Sequence, residues 1–278
     1  MKYVLVNPLS NNRHGKEAVE KVLELVKDEN EVIDITEIDL KEFVTKLKKT
    51  DEIILVGGDG TINNFVNKLE GNIPSLNIYL YPSGTGNDFL KDVGYKEGLF
   101  LLNKYLVNLP RVTVNGKTSY FINGVGFGID GYRCEVGDKL KAQSQKEINY
   151  TSIAIKGLLF HFKRVKATVE VDGIVNEYKN VWLSPTMNGR YYGGGMMIAP
   201  NQDRLNKERT VTNVVYKTGS KLKALIVFPS IFKGEHIKKE KMVKVVSGKK
   251  IKVTFDKPTA LQIDGETIVN VLSYEVEA

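Results

Sequence analysis

The chain has 278 residues, 42% of them hydrophobic and 26% charged, with a formal net charge of +7; that composition suits one large or two smaller packed domains and excludes a disordered chain. The single cysteine, Cys134, excludes an internal disulfide, and no His and Cys run has the spacing of a zinc site. No stretch approaches the roughly 20 apolar residues that cross a bilayer, and the apolar run at residues 3–6 is too short for a secretion signal, so a cytoplasmic protein with at most peripheral membrane contact is expected.

The first third alternates strand and helix. Residues 3–6 read as a buried strand, 16–27 as a helix carrying Ala18, Val19, Val22, Leu23 and Val26, and 31–35 as a second strand. A helix over 40–47 follows, with Leu40, Phe43, Val44 and Leu47 at helical spacing, and then a strand over 52–56 buried on both faces. This alternation predicts a doubly wound parallel sheet. Beyond about Pro110 short alternating runs take over, with Asn115-Gly116 and Asp172-Gly173 as hairpin turns. Strands are predicted over 111–114, 119–122, 166–171, 175–183, 210–216, 242–246, 250–255, 260–263 and 268–276. Helices are predicted over 149–162 and 221–232, the second ended or kinked by Pro229. Two domains follow, 1–112 as an α/β nucleotide domain and 113–278 as a mainly antiparallel one, whose last strand can return to the first.

Chemistry concentrates where predicted strands end. Gly57-Gly58-Asp59-Gly60-Thr61 closes the buried strand and precedes a helical pattern at Ile62, Phe65, Val66 and Leu69. Ligands of open α/β sheets sit at that end. Glycines let backbone N–H groups approach phosphate, and the helix N-terminus adds its positive end. Asp59 can reach a Mg²⁺ on those phosphates through water; the alternative is a turn that only reverses the chain. The loop is neither a Walker A motif nor the dinucleotide fingerprint. Ser83-Gly84-Thr85-Gly86-Asn87-Asp88 follows the strand at 78–81 and opens another helix, with Thr85 as a hydroxyl donor and Asp88 as a second acid. Asn87 or Asp88 can equally be a plain N-cap. Asn7-Pro8-Leu9-Ser10-Asn11 ends the first strand and should open onto the same edge.

Together with a late Asp264-Gly265-Glu266, these loops resemble the soluble, bacterial-type diacylglycerol kinase family, which also includes sphingosine and ceramide kinases. Further matches are Asn123 to Gly128, Gly193-Gly194-Gly195-Met196 and Gly234-Glu235-His236. NAD kinases share the first loop and differ at the second. The resemblance implies an ATP-dependent lipid kinase: an N-terminal α/β domain, a C-terminal β-sandwich and an active site in the cleft between them. ATP and Mg²⁺ are the implied cofactors. The nucleotide set is Asn7, Pro8, Ser10, Asn11, Gly57, Gly58, Asp59, Gly60, Thr61, Asn63, Asn64, Ser83, Gly84 and Thr85. Asp264 and Glu266 are implied as the base that activates the acceptor hydroxyl, beside Asp59 and Asp88 as catalytic acids; by itself the Asp-Gly-Glu stretch reads as a polar hairpin. An NAD kinase-like enzyme, and a non-catalytic lipid- or polyphosphate-binding protein of the same fold, are the alternatives.

One stretch departs from the family. The Asp-Asp-Gly run that holds a structural Mg²⁺ there is absent after Pro200, where Asn201-Gln202-Asp203-Arg204 stands. Asp203 or Glu208 remains to reach a cation, or Arg204 and Arg209 supply the charge themselves. Residues 233–252 hold eight lysines and His236 against Glu235 and Glu240. This segment is either a solvated face or a patch that meets a membrane carrying the lipid substrate, each lysine near an anionic surface adding about 1 kcal/mol. Nucleic acid is not an expected partner, since no binding motif accompanies the lysines; a homodimer is allowed. Trp182 reads as core, the apolar face of 149–162 reads as core or as the lining of an acyl-chain pocket, and His14, His161 and His236 read as structural or solvated.

Overall fold

The computed structural model describes residues 1–7, 15–83, 87–129, 131–132, 134–137, 153 and 163–278. Outside them fall Pro8, Ser10, Asn11, His14, Gly84, Thr85, Gly86 and, apart from Ile153, the helix predicted over 149–162 with His161.

The chain divides into two units, Met1–Leu109 and Pro110–Ala278. In the first, β1 (Lys2–Val6), β2 (Asn30–Asp34), β3 (Glu52–Gly57) and β4 (Asn77–Pro82) pair in parallel, and β5 (Phe100–Leu101) lies antiparallel on β4. They are joined through α1 (Gly15–Leu25), α2 (Leu40–Thr45), α3 (Asp59–Lys68), α4 (Asp88–Asp92) and α5 (Asn103–Leu106). Ile53, Ile54, Leu55 and Val56 are all buried because both sheet faces are covered. Val4, Val6, Ile54 and Val56 share one face with Ala18 and Val22 of α1 and with Val26 just after it. Leu5, Ile53 and Leu55 alternate to the other. Asp39 starts α2 by accepting the Glu42 N–H at 3.1 Å.

The strand order is β2-β1-β3-β4-β5. The chain therefore leaves β1 in one direction and β3 in the other, and right-handed crossovers put α1 and α3 on opposite faces. The C-terminal ends of β1 and β3 flank the point where the order reverses, the position at which open α/β sheets bind ligands.

The second unit contains β6 (Arg111–Val114), β7 (Lys117–Tyr120), β8 (Gly124–Phe127), β9 (Val165–Val171), β10 (Ile174–Leu183), β11 (Thr186–Met187), β12 (Tyr191–Tyr192) and β13 (Met196–Met197). After these come β14 (Val211–Lys217), β15 (Val243–Gly248), β16 (Lys250–Ile263) and β17 (Glu266–Glu277). The described ladder runs β7-β6-β17-β16-β8-β11-β14-β10-β9, with β15 on β14, and β9 pairs back onto β16. It thus folds over itself into a sandwich-like body, while β12 and β13 form a separate hairpin.

One bent strand makes the return possible. Sequence periodicity predicts separate strands over 250–255 and 260–263, but both belong to β16. Residues 251–255 pair with β9 and 261–263 with β8. Between them Pro258 lacks an N–H, and the register with β17 shifts between Thr254 and Thr259. The last strand, β17, pairs with β16 and β6.

Strand alternation divides the apolar residues of this unit between two cores. Val181, Val211 and Val215 point into one with the stacked rings of Phe127 and Phe255. Trp182, Val214 and Tyr216 point into the other, which is covered by the helix Lys221–Val227 and the 3-10 helix Phe228–Lys233. The predicted helix over 221–232 changes type where Pro229 cannot donate to the α ladder.

Candidate active site

Three strand ends meet along one edge of the first sheet. Val6 is in register with Val56, and Gly57 with Pro82, so Asn7, Gly57-Gly58 and Ser83 emerge side by side. The Ser83 N–H also donates to Gly57 O at 3.0 Å, tying the second turn to the first.

The first glycine turn is not a loop in front of a helix, as the sequence suggests. Gly58 is the N-cap residue, in extended conformation, and Asp59, Gly60 and Thr61 form the first turn of α3. Gly58 has no side chain to cap with, so the helix opens with main-chain donors and its positive end. Two glycines here answer different demands. A Cβ on Gly57 would lie 1.9 Å from Thr61 Oγ1 and 2.6 Å from Thr61 Cβ, so Gly57 is what lets Thr61 pack down on the strand end. A Cβ on Gly60 would meet no atom within 4 Å, so the helix start faces open space there.

Asp59 joins the two turns. Its Oδ2 accepts the Asp88 N–H at 2.8 Å and its Oδ1 the Phe89 N–H at 3.2 Å. These are the first N–H groups of α4, so the cap of α4 comes from the neighbouring turn. The expectation that Asn87 or Asp88 caps its own helix is corrected: Asn87 is at the N-cap but makes no side-chain cap bond. Asp88 is buried in the first turn. Asn63 spends its side-chain and main-chain oxygens on Asn67 Nδ2, at 3.1 and 3.0 Å, whereas Asn64 is exposed.

In the second unit Asp264-Gly265 is the two-residue turn between β16 and β17, with Ile263 opposite Glu266. Asp264 at φ 46° and Gly265 at φ 98° are both left-handed, which is why Asp-Gly stands there. Asp264 is committed to the fold: Oδ1 accepts the N–H groups of Asn123 at 2.8 Å and Gly124 at 3.0 Å, and Oδ2 accepts that of Ile122. Of the two implied base residues, only Glu266 is exposed and without an ion pair among the described residues.

Arg204 grips the same segment from the other side. Its Nη1 donates to Ile122 O at 3.2 Å and its Nη2 to Asn123 Oδ1 at 3.0 Å. Asn188 Nδ2 adds a bond to Ile122 O at 2.9 Å. Asp203 Oδ1 accepts the Leu205 N–H at 2.9 Å, and no group of three His, Cys, Asp or Glu side chains among the described residues could hold a metal ion. A structural Mg²⁺ at Asp203 therefore does not fit: that carboxylate closes its own turn, and a guanidinium supplies the neighbouring positive charge. By contrast, a Mg²⁺ shared with nucleotide phosphates needs only one or two carboxylates. Asp59 lies in the first turn of α3 with each carboxylate oxygen accepting a main-chain N–H, so only their remaining lone pairs are open to a water-bridged cation. A cavity of about 170 Å³ beside Gln202 is too small for a nucleotide, and its polar walls bond to each other, Thr212 Oγ1 donating to Gln202 Oε1 at 2.6 Å.

The basic segment separates into two parts. Lys250 is paired with Glu275 at 2.6 Å and Glu277 at 3.5 Å across the strands, and the Glu275 carboxylate holds its ammonium above the usual lysine range. Lys233, Lys238, Lys239 and Lys241 lie exposed on and after the 3-10 helices Phe228–Lys233 and Glu235–Lys238. His236, amid these lysines, is fully buried; its Nε2 bonds Ile198 O at 2.9 Å, and burial pushes its pKa down to about 4. Its role is structural, as is that of Trp182, whose Nε1 donates to Thr218 O at 3.0 Å.

An α/β unit with glycine turns at its strand-order reversal is thus followed by a folded-over antiparallel unit that carries Asp-Gly-Glu at the hairpin into its last strand. Residues 2–107 match the diacylglycerol kinase catalytic domain, and residues 123–275 match the YegS C-terminal NAD kinase beta sandwich-like domain. The chain belongs to the diacylglycerol kinase and lipid kinase family that these two domains define. It is 26% identical over 250 residues to a diacylglycerol kinase of Mycobacterium tuberculosis, covering 84% of this chain and 78% of that protein. To a diacylglycerol kinase of Bacillus subtilis it is 28% identical over 231 residues, covering 79% and 72%. A crystal structure of a diacylglycerol kinase from Bacillus anthracis str. Sterne shares the fold, with a TM-score of 0.67 at 21% identity over 99% of this chain and 93% of that one. No helix among the described residues is long and apolar enough to cross a membrane.

Proposed function

We infer that this protein transfers the γ-phosphate of ATP to the hydroxyl of a lipid alcohol, diacylglycerol or a close relative of it. The observation that carries the reading is the convergence of Asn7, Gly58, the first turn of α3 and Ser83 at the reversal of strand order, with Gly60 facing open space. Family membership supports the lipid as acceptor, and the names of the Mycobacterium tuberculosis and Bacillus subtilis relatives suggest diacylglycerol.

Phosphoryl transfer asks for held phosphates, neutralised charge and an oriented alcohol, with little covalent work by the protein. The main-chain donors and positive end of α3 bind phosphate oxygens, joined by Asn7 and Ser83. Asp59 fixes the two turns relative to each other. A Mg²⁺ held by those phosphates and, through water, by Asp59 would offset the negative charge of the transferring group. Glu266 accepts the proton of the lipid hydroxyl as its oxygen bonds to the γ-phosphorus and the bond to the β,γ-bridging oxygen breaks. Asp264 and Arg204 hold the segment 122–124 against which the Asp-Gly-Glu turn is built.

Incubation with labelled ATP, Mg²⁺ and a panel of diacylglycerol, ceramide, sphingoid base, phosphatidylglycerol and NAD tests this. Label in diacylglycerol or another lipid supports the reading. Label in NAD alone, or in nothing, refutes it.

A further inference from the structure

The second unit carries an apolar ridge that its own core does not use. Along the helix Lys221–Val227, Ala224 and Val227 are buried, and the core continues through Phe228 and Ile231 of the 3-10 helix that follows. Leu222 and Ile226 are excluded from it, 67% and 69% exposed. Four residues apart on a helix, they stand one above the other on a single face. A lone exposed leucine is ordinary; a pair set among cations is not. Between Lys221 and Lys241 the chain has six lysines against Glu235 and Glu240. Of these, Lys223, Lys233, Lys238, Lys239 and Lys241 are exposed. Lys238 meets Glu235 only at 3.9 Å with both side chains more than half exposed, which neutralises little. Lys233, Lys239 and Lys241 have no ion pair among the described residues.

We propose that Leu222 and Ile226, with the exposed Lys223 beside them and Lys233, Lys238, Lys239 and Lys241 on and after the helices that follow, form the surface that docks this protein on an anionic lipid bilayer. The two apolar side chains enter the boundary between headgroups and acyl chains, and the ammonium groups meet lipid phosphates. Charge complementarity selects this occupant. A bilayer presents apolar and anionic groups in one plane, a second copy of the chain meeting this surface face to face would bring the same positive charge against it, and nucleic acid would leave the ridge unused. The proposal rests on the lipid-kinase reading for its purpose, since the acceptor of that reaction stays in a membrane. It moves the expected patch away from Lys250, whose charge is already paired.

Co-sedimentation with vesicles of phosphatidylcholine, or of phosphatidylcholine mixed with phosphatidylglycerol, at low and physiological salt tests it. The proteins compared are wild type, a Leu222→Ser, Ile226→Ser double variant and a Lys238→Gln, Lys239→Gln, Lys241→Gln triple variant. Wild type should bind the anionic vesicles and lose binding as salt rises. The double variant should bind more weakly at both salts, and the triple variant about tenfold or more weakly. Both variants should phosphorylate detergent-solubilised diacylglycerol at the wild-type rate. If wild type phosphorylates no lipid yet binds as described, the kinase reading fails and the docking surface stands. Equal binding by all three proteins, or binding indifferent to lipid charge, overturns the surface. So does self-association that is lost in the double variant without any vesicle binding.

Discussion

Asp59 Oδ2 lies 2.8 Å from the backbone nitrogen of Asp88, so a carboxylate at the start of one helix caps the next. The two turns that frame the proposed phosphate site are thereby one unit. Asp59→Ala should cost about 1 kcal/mol of stability, the usual size of a lost cap, and should weaken ATP binding as well. Asp59→Asn keeps one acceptor but turns an amide donor toward the second N–H, so it should fall between. Denaturant melts paired with calorimetric ATP titration check both effects, and an Asp59→Ala protein with wild-type stability contradicts the capping role.

Gly57 and Gly60 should respond in opposite ways to the same added methyl. Gly57→Ala forces Thr61 away from the strand end, and such overpacking costs about 1–3 kcal/mol. Gly60→Ala meets no protein atom and replaces glycine by a better helix former, so the melting temperature should hold or rise slightly. Its methyl projects where phosphate is proposed to approach, so ATP affinity should drop. A Gly60→Ala protein that binds ATP normally would move the phosphates elsewhere.

Arg204→Met removes the charged hydrogen bonds to Ile122 O and Asn123 Oδ1. Losing a hydrogen bond to a charged group costs about 1.5–3 kcal/mol, so the second unit should melt earlier. Because Arg204 already supplies the local charge, millimolar Mg²⁺ should leave the melting temperature of the nucleotide-free wild type unchanged, whereas a bound ion would raise it by mass action. Thermal melts with and without Mg²⁺ decide between the two.

His236 makes the fold sensitive to acid. Its folded pKa is lowered to about 4 from an ordinary 6.5. The unfolded chain therefore takes up the proton first, and stability present above pH 6.5 is lost as pH falls through that window. The gap corresponds to roughly 3 kcal/mol between pH 7 and pH 4. A His236→Gln protein, which keeps a donor for Ile198 O and cannot titrate, should show a flatter profile in denaturant melts; an identical slope would assign the acid sensitivity to other groups.

What the sequence makes legible is local. Gly57-Gly58 after an apolar strand, Asp264-Gly265 between alternating runs and Pro229 inside a helical pattern each act within a few residues, and each leaves a readable signature. The partners that decide what the acids do come from far along the chain. Asp59 meets Asp88 across 29 residues, and Asp264 meets Asn123 across 141. Neither pairing has a spacing rule, so two candidate catalytic acids prove to hold backbone. Lys250 joins a basic run by sequence but is neutralised by the register of β16 against β17. His236 has the sequence surroundings of a surface residue, and only the 3-10 helix that carries it turns it inward. Leu222 and Ile226 lie in a helix the sequence predicts without saying which face is inward: Ala224 and Val227 take the inner face and leave them in solvent.

The central step of the proposed reaction is a lipid hydroxyl giving its proton to Glu266. Its most direct test is steady-state transfer of label from ATP to diacylglycerol in mixed micelles, wild type against Glu266→Gln, with ATP affinity measured on both proteins. Wild type should form labelled lipid phosphate. Glu266→Gln should bind ATP as wild type does and lose about 10²-fold or more in kcat, the usual size of a general-base contribution. A wild type that labels no lipid, or a Glu266→Gln protein that turns over at the wild-type rate, would contradict it.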